Sequence, residues 1–317
     1  MSNIFKTKYF DIQTNLKEKR FLYAIFINIL VKHGGSMKKI TIITDTICDI
    51  PIIELEKKNI KYVPILVEIN GITYKDKIDI TNREFYEMIS DKSTYPKTAQ
   101  ISPGAFEDIF KKELAKGNEI ICITISSGLS GTYNSAHIAK TLLDSKDIHI
   151  IDSCSATMGQ GALVLRAAKM LEDGCVDVSD IISELNHMIK KQESLIVLEN
   201  MEMLKRGGRI PSSVATIGGF LNIKPTLTFK SGKLEMLGKC RGFKAAVKQA
   251  VSKICSSDID TQYPITVAHA NNLEACLDFI NQLNEKIPSL KIETSEVGPA
   301  IGSHSGEGAL AIFYQTK

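Results

Sequence analysis

Apolar positions change their period along this chain, and each change marks an element. Runs apolar at every position or every second one read as strands, and runs recurring every three to four residues read as helices. By that rule Ile40–Thr44 is a strand, Ile52–Lys58 a helix and Lys61–Glu68 a strand. Asn70-Gly71, flanked by Glu68-Ile69 and Ile72-Thr73, predicts a type I′ hairpin, whose two central residues need positive φ. Thr81–Ser90 opens with the capping-box spacing Thr81-Asn-Arg-Glu84. Pro103–Lys116 has Pro in its first turn and Gly117 at its end, as a helix does. Strand Glu119–Ile125, helix Tyr133–Leu143 and strand Ile148–Ile151 continue the alternation. Such a βαβ rhythm predicts an α/β N-terminal domain over residues 37–165, with a mostly parallel sheet flanked by helices.

After Asp152 the pattern changes. Helices Gly159–Asp173 and Ser179–Lys190 precede strand Ser194–Leu198, and Thr226–Phe229, Ser231-Gly232 and Lys233–Gly238 read as a hairpin. Helix Phe243–Ser256, strand Pro264–Ala268, helix Leu273–Lys286 and strands Lys291–Glu296 and Ala309–Tyr314 follow. Hairpin-linked strands with helices between them predict an α+β C-terminal domain over 166–317, its sheet largely antiparallel.

Composition adds three constraints. A chain of 317 residues, 44% hydrophobic, can bury the cores of two domains. The seven cysteines form no CxxC pair and no metal spacing, which predicts reduced thiols in a cytoplasmic protein, with Cys122 a core residue. The net charge of +3 is concentrated at one end: residues 1–36 hold six Lys/Arg and two Asp/Glu, and the remainder 33 basic and 34 acidic residues. No basic face for nucleic acid follows. The apolar run Phe21–Val31 is too short to span a bilayer. Met37-Lys-Lys-Ile-Thr-Ile reads as a natural protein start, so residues 1–36 are expected to be an upstream extension outside the fold, with a short amphipathic anchor as the alternative.

Three hydroxyl-and-glycine segments carry the candidate chemistry: Thr98-Ala-Gln-Ile-Ser102-Pro-Gly104, Ile125-Ser-Ser127-Gly-Leu-Ser130-Gly-Thr132 and Gly298-Pro-Ala-Ile-Gly-Ser-His304-Ser-Gly-Glu-Gly308. The last reads as a turn-rich loop whose single histidine can offer a nitrogen to a polar head group. Asp45 and Thr46 end the first strand, where open sheets bind ligands, and Asp49 competes between that role and capping the helix that starts near Pro51. The segment Ser126–Thr132 approaches a nucleophile elbow, but Thr132 stands where the final glycine belongs. No phosphate-binding P-loop occurs, and Gly306-Glu-Gly308 opens a strand, unlike a dinucleotide fingerprint. In Lys205-Arg-Gly-Gly-Arg209, Arg209 lies beyond the helix cap and suits a carboxylate, a phosphate or a partner. His269 reads as a core residue.

These segments, with Asp152-Ser, Lys224-Pro225 and Ala268-His-Ala, resemble in identity and order the DegV family of fatty-acid-binding proteins, from Met37 to the C-terminus. The resemblance implies a fatty acid held between the two domains, its carboxylate on Thr98, Ser127, the Gly128 N–H and His304, with Asp45, Thr46 and Ser130 nearby. It further implies no cofactor or metal, no catalysis by this chain, and presentation of the carboxylate to a separate ATP-binding fatty acid kinase subunit for phospholipid synthesis. Arg206, Arg209 and Arg241 are the candidate partner contacts. Ala99 departs from the family's serine, and around Cys240-Arg241-Gly242 only the arginine matches a more basic stretch. Phe220, Leu221, Ile223 and Ile301 are the tunnel candidates. Two rival readings are a serine hydrolase or acyltransferase using Ser127 or Ser130 with His304 and Asp45, and a sensor for another amphiphile.

Overall fold

Strand β1 (Ile40–Asp45) is buried at every position, as a strand covered on both faces must be. In the computed structural model, which describes residues 38–91, 93–199, 201–209 and 223–317, it is central to an all-parallel sheet. Residues 1–36, Phe220 and Leu221 lie outside the described residues. A 3-10 turn (Thr46–Cys48) and helix α1 (Ile52–Lys57) lead to β2 (Lys61–Val63), which pairs in parallel with β1. The expected strand Lys61–Glu68 is in fact two strands in two sheets. Pro64 has no N–H for a ladder, and the Ile65 N–H turns aside to Thr46 Oγ1 at 3.2 Å. Strand β3 (Leu66–Ile69) therefore starts afresh, pairing antiparallel with β4 (Ile72–Lys75) across Asn70 and Gly71, at φ 51° and 81°. Those angles are the ones the Asn-Gly signal anticipates.

Helix α2 (Asn82–Ile89) begins on the expected capping box, with Thr81 Oγ1 accepting from the Glu84 N–H and Glu84 accepting from the Thr81 N–H. The short strand β5 (Lys97–Ala99), absent from the sequence pattern, then completes the order β4-β3-β5. Helix α3 (Pro103–Leu114), β6 (Glu119–Thr124), α4 (Thr132–Leu143) and β7 (Ile148–Asp152) follow, giving the parallel order β2-β1-β6-β7.

Helix α5 (Met158–Glu172) is the hinge of the architecture. It packs on β1 and β6 of the parallel sheet and also on β11 (Ile265–His269) and β13 (Leu310–Gln315) of a second, six-stranded sheet. Buried against two layers, it needs small residues on both sides. A Cβ on Gly161 would stand 2.6 Å from the Cys48 carbonyl in the first half, and one on Gly159 would stand 2.6 Å from the Phe313 ring in the second.

The larger sheet runs β10-β9-β8-β13-β11-β12, using β8 (Gln192–Val197), β9 (Ile223–Lys230), β10 (Lys233–Arg241) and β12 (Ile292–Glu296). Every pairing is antiparallel except β11 with β12. Side chains alternate between two cores, as period-2 geometry requires. Leu195, Val197, Leu310 and Ile312 pack under α8 (Phe243–Cys255) and α9 (Leu273–Lys286), whereas Ile196, Leu198, Ala311 and Phe313 face the first sheet and α5. Helix α6 (Val178–Lys191) connects α5 to β8, and α7 (Glu202–Arg206) follows β8. The fold is thus mixed α/β, with one parallel and one mostly antiparallel sheet, as expected, and a small antiparallel sheet of β4, β3 and β5 besides. No helix among the described residues is long and apolar enough to cross a membrane. Thr81→Ala removes the hydroxyl arm of the α2 cap, while the backbone N–H at position 81 still donates to Glu84, and it is expected to cost about 1 kcal/mol in urea unfolding, with the slope of the transition unchanged.

Candidate functional site

The face of the large sheet turned toward β3, β5 and the first sheet forms one wall of a cleft of about 920 Å³. Its floor is aliphatic, from Ile196, Leu227, Ala268, Ala309 and Ala311, and the opposite wall brings Ile47, Ile65 and Ile125 from the ends of the first sheet's strands. Thr98, Gln100, Ser130, Arg209 and His304 supply polar groups at one end. The cleft therefore accepts a long apolar body with one polar head.

His304 does not lie on a loop. Segment Pro299–Ser305 forms helix α10, with Pro299 at its start and Gly306 beyond its end at φ 69°. The helical register turns the imidazole inward, where Nε2 is hydrogen-bonded to Thr98 Oγ1 at 2.8 Å and Nδ1 is buried without a partner. Burial, reinforced by the positive charge of Arg209, pushes the His304 pKa down to about 4, so the ring is neutral at pH 7. Gly207 makes room for it: a Cβ there would collide with His304 Nδ1. The neighbouring Arg209 donates from Nη1 to the Gly207 carbonyl at 2.6 Å and from Nε to the Leu129 carbonyl at 3.1 Å, which fixes its guanidinium at the rim of the cleft.

Helix α10 is held from the first half of the chain. Asp49 Oδ1 accepts from the Gly298 N–H at 2.9 Å and from buried Lys77 Nζ at 2.6 Å, while Lys77 also donates to the Thr46 carbonyl at 2.7 Å. Ser295 Oγ donates to the Asp49 carbonyl, and Asp76 Oδ1 accepts from the Ala300 N–H at 3.1 Å. Burial alone would depress Lys77, but the carboxylates of Asp49 and Asp76 more than offset it and its pKa is raised. Burial pushes Asp76 up to about 6, against the pull of Lys77. Asp49 therefore does not cap α1, whose N-cap is Pro51 with no side-chain cap; at φ 52° it ends the 3-10 turn and its carboxylate faces Lys77 and α10.

Asp45 and Thr46 are structural neighbours of the site and do not line it. Asp45 caps the 3-10 turn through the Ile47 N–H and accepts from the Ile125 N–H at 2.8 Å and from Gln160 Nε2 at 3.0 Å. Its burial pushes the pKa up to about 6. Ser127 and Gly128 also lie outside the cleft lining, exposed on the loop between β6 and α4. The Gly128 N–H, expected to meet a carboxylate, donates to Ser126 Oγ at 3.1 Å, and Ser126 Oγ donates to the Gly232 carbonyl at 2.5 Å. The β9–β10 turn thus docks on this loop, and a Cβ on Gly128 would stand 2.5 Å from the Gly232 carbonyl. The Asp152-Ser motif finds its reason here: Asp152 Oδ1 accepts from the Ser127 N–H at 3.1 Å and the Cys154 N–H at 2.9 Å.

Among the described residues, Ser127 or Ser130, His304 and Asp45 form no Ser–His–Asp relay. His304 Nε2 faces Thr98, its Nδ1 meets no carboxylate, both Asp45 oxygens are engaged elsewhere, and Ser130 Oγ is bonded to Thr132 Oγ1 at 2.9 Å. Arg206 lies over the Tyr95 ring at 3.3 Å and pairs with Glu202 at 2.6 Å, and Arg241 is exposed at the end of β10; neither lines the cleft. Ile301 lines it and Ile223 does not. The sequence reading assigned no role to Gln100, whose side chain packs where a Cβ on Gly131 would be, nor to the alanine floor. Its signal was the spacing of two in Ala309 and Ala311.

Two sheets packed on a shared helix thus enclose a largely apolar cleft with an imidazole and a hydroxyl among its polar groups. The chain belongs to the DegV family, whose pattern matches residues 39–317. It is 35% identical to a DegV domain-containing protein of Clostridium acetobutylicum over 283 residues, 89% of this chain and 100% of that one. It is 33% identical to protein DegV of Bacillus subtilis over 281 residues, 88% of this chain and 99% of that one. The crystal structure of DegV, a fatty acid binding protein from Bacillus subtilis, superimposes with a TM-score of 0.77 at 32% identity, covering 89% of this chain and all of that one. A fatty-acid-binding DegV family protein from Thermus thermophilus does so at 0.78 and 27%, covering 88% of this chain and all of that one.

Asp49→Ala leaves the Lys77 ammonium buried without its partner and frees the Gly298 N–H. A loss of about 3–5 kcal/mol in chemical unfolding is expected, several times that of an exposed pair such as Arg83–Glu87.

Proposed function

We propose that this protein binds a long-chain fatty acid in the cleft and presents its carboxylate to a separate ATP-binding kinase subunit, which forms the acyl phosphate. The observation that carries this reading is the desolvated, neutral His304 hydrogen-bonded to Thr98 in a largely apolar cleft. The fatty acids bound by the related Bacillus and Thermus proteins support it. In this reading the two domains are 37–165 and 166–317, and the ligand lies between them.

The division of labour follows from elementary energetics. An acyl tail of about fourteen methylenes offers roughly 11 kcal/mol at ~0.8 kcal/mol per CH₂, before ordering costs. Polar groups then serve orientation. Thr98, His304, Ser130 and Arg209 receive the carboxylate, and the Ser127 hydroxyl, at the solvent edge of the same loop, meets it as it turns outward for reaction, whereas the Gly128 N–H would first have to leave Ser126. Arg209 at the rim, with Arg206 and Arg241 on the exterior, supplies positive charge for a partner that carries ATP. In this reading the chain itself needs no nucleophile.

A carboxylate beside His304 stabilises the imidazolium, so binding raises a pKa that stands at about 4 in the free protein. Between about pH 4.5 and 6.5, binding is therefore expected to take up protons, seen as a dependence of calorimetric binding enthalpy on the buffer's ionisation heat. Equal enthalpies in all buffers across that window would remove the carboxylate from the imidazole. The same depressed pKa means that the folded protein holds fewer protons than the unfolded chain between pH 6.5 and 4, so His304 subtracts from stability as pH falls through that window.

Solvent extraction of the purified protein followed by mass spectrometry tests the ligand. A near-stoichiometric fatty acid is expected, with retention reduced tenfold or more in His304→Ala and Thr98→Val, at about 1.4 kcal/mol per decade. Extracts that stay empty after incubation with mixed fatty acids would end the lipid reading. Acyl-phosphate formation with a reconstituted kinase subunit, and its loss in Arg209→Ala, tests presentation.

A further inference from the structure

The floor of the cleft is built in rows across the large sheet. Pairing places Ala268, Ala311, Ile196 and Leu227 side by side on β11, β13, β8 and β9. All four line the cleft. Two residues along, on the same face, the next row is Thr266, Phe313 and Ser194, and the Phe229 N–H donates to Ser194 Oγ at 2.8 Å. Small side chains thus give way abruptly to aromatic ones. The rings of Phe313 and Phe229 stack with centroids 6.3 Å apart and planes 24° apart.

These two rings stand between two spaces. Phe229 lines the cleft, and Phe313 lines a second cavity of about 800 Å³ together with Thr266, Gln192 and Gln315 of the same sheet face and Leu165 of α5. Along β13 the wall is set off from the end of the strand that follows α10. Ala309, just before β13 and beside α10, is four residues from Phe313, or roughly 13 Å along an extended strand. The ring has no slack toward α5, since Gly159 already offers it bare backbone and a Cβ there would stand 2.6 Å from its edge. Beyond the wall the surroundings turn polar. Gln315 Oε1 is buried without a partner, Arg166 pairs with Glu184 at 2.7 Å, and Tyr263 Oη donates to Glu184 at 2.8 Å.

We propose that Phe313 is the stop that sets acyl-chain length, and that the cavity behind it is a closed-off extension of the cleft. This rests on the fatty-acid reading. A methyl terminus that reaches the Phe229–Phe313 wall has used the aliphatic floor, and each further methylene finds a ring in its place. Removing the ring opens a path along β13 and α5 into the second cavity.

The test offers the full-length protein an equimolar mixture of saturated fatty acids from twelve to twenty-two carbons and identifies the retained acids by mass spectrometry. Wild type, Phe313→Ala and Phe313→Leu are compared. The alanine variant is expected to move the preferred length up by about two or more carbons, each added methylene being worth about fourfold in affinity, with the leucine variant intermediate. An unchanged length profile in a folded, loaded alanine variant overturns the stop while leaving the fatty-acid reading intact. Wild type that retains no acid of any length removes that reading and the stop with it. Should the alanine variant not fold, the leucine variant decides alone: a profile shifted upward supports the stop, and an unshifted one overturns it.

Discussion

The ion pair between Asp49 and Lys77 is the constraint on which the site depends. It is buried from both sides, and one carboxylate oxygen receives both the Lys77 ammonium and the Gly298 N–H. A buried pair of this kind contributes little net stability compared with apolar packing, but breaking it is costly, so it acts as a specificity device. Here it specifies where α10 begins. Asp76 fixes the next amide, Ala300, and about one turn later the helix delivers His304 to Thr98. The imidazole lies within one helix length of the pair, so the register of α10 transmits the position of Asp49 to the head of the cleft.

That dependence explains why the loop reading of residues 298–308 failed and the helix succeeded. Five residues of the segment are glycine or proline, which disfavour helix interiors. Local propensity is overridden by Pro299 at the first helical position, where its missing N–H costs nothing, and by the distant carboxylates of Asp49 and Asp76. Neither partner is within 200 residues in sequence, so no local pattern could reveal them. The same applies to Lys61–Glu68: eight positions of strand-like composition hide a proline that sends the two halves into different sheets. By contrast the capping box at Thr81, the Asn70-Gly71 turn and the two-residue alternation of β8 and β13 were legible because their causes are local.

The candidate site was legible in the same proportion. Thr98 and His304, 206 residues apart, do meet, and Ser130 and Arg209 join them at the polar end. What the sequence could not convey is direction. On the loop after β6, Ser127 and Gly128 face outward because Asp152 and the β9–β10 turn have claimed the backbone and Ser126. A motif records which groups are present, whereas hydrogen bonds from other strands decide which of them remain free.

The two ends of the cleft then obey different physics, and the sheet is what separates them. At the head, donors and a neutral ring are held by charge buried at some distance, so geometry there is exact only while the Asp49 cluster is intact. Along the floor, alternation on β11, β13 and β8 places Ala268, Ala311 and Ile196 on the cleft side and sends Val267, Leu310, Ile312, Leu195 and Val197 to the opposite core under α8 and α9. A chain of methylenes has no directional preference, so the floor can bind it but cannot position it. Position must come from the fixed points at the two extremes: the polar cluster of Thr98 and His304, and the aromatic row where Phe313 meets Gly159. Both fixed points are anchored through elements that touch the first sheet, α10 through Asp49 and Phe313 through α5, so the contact between the two sheets sets the length of the cleft.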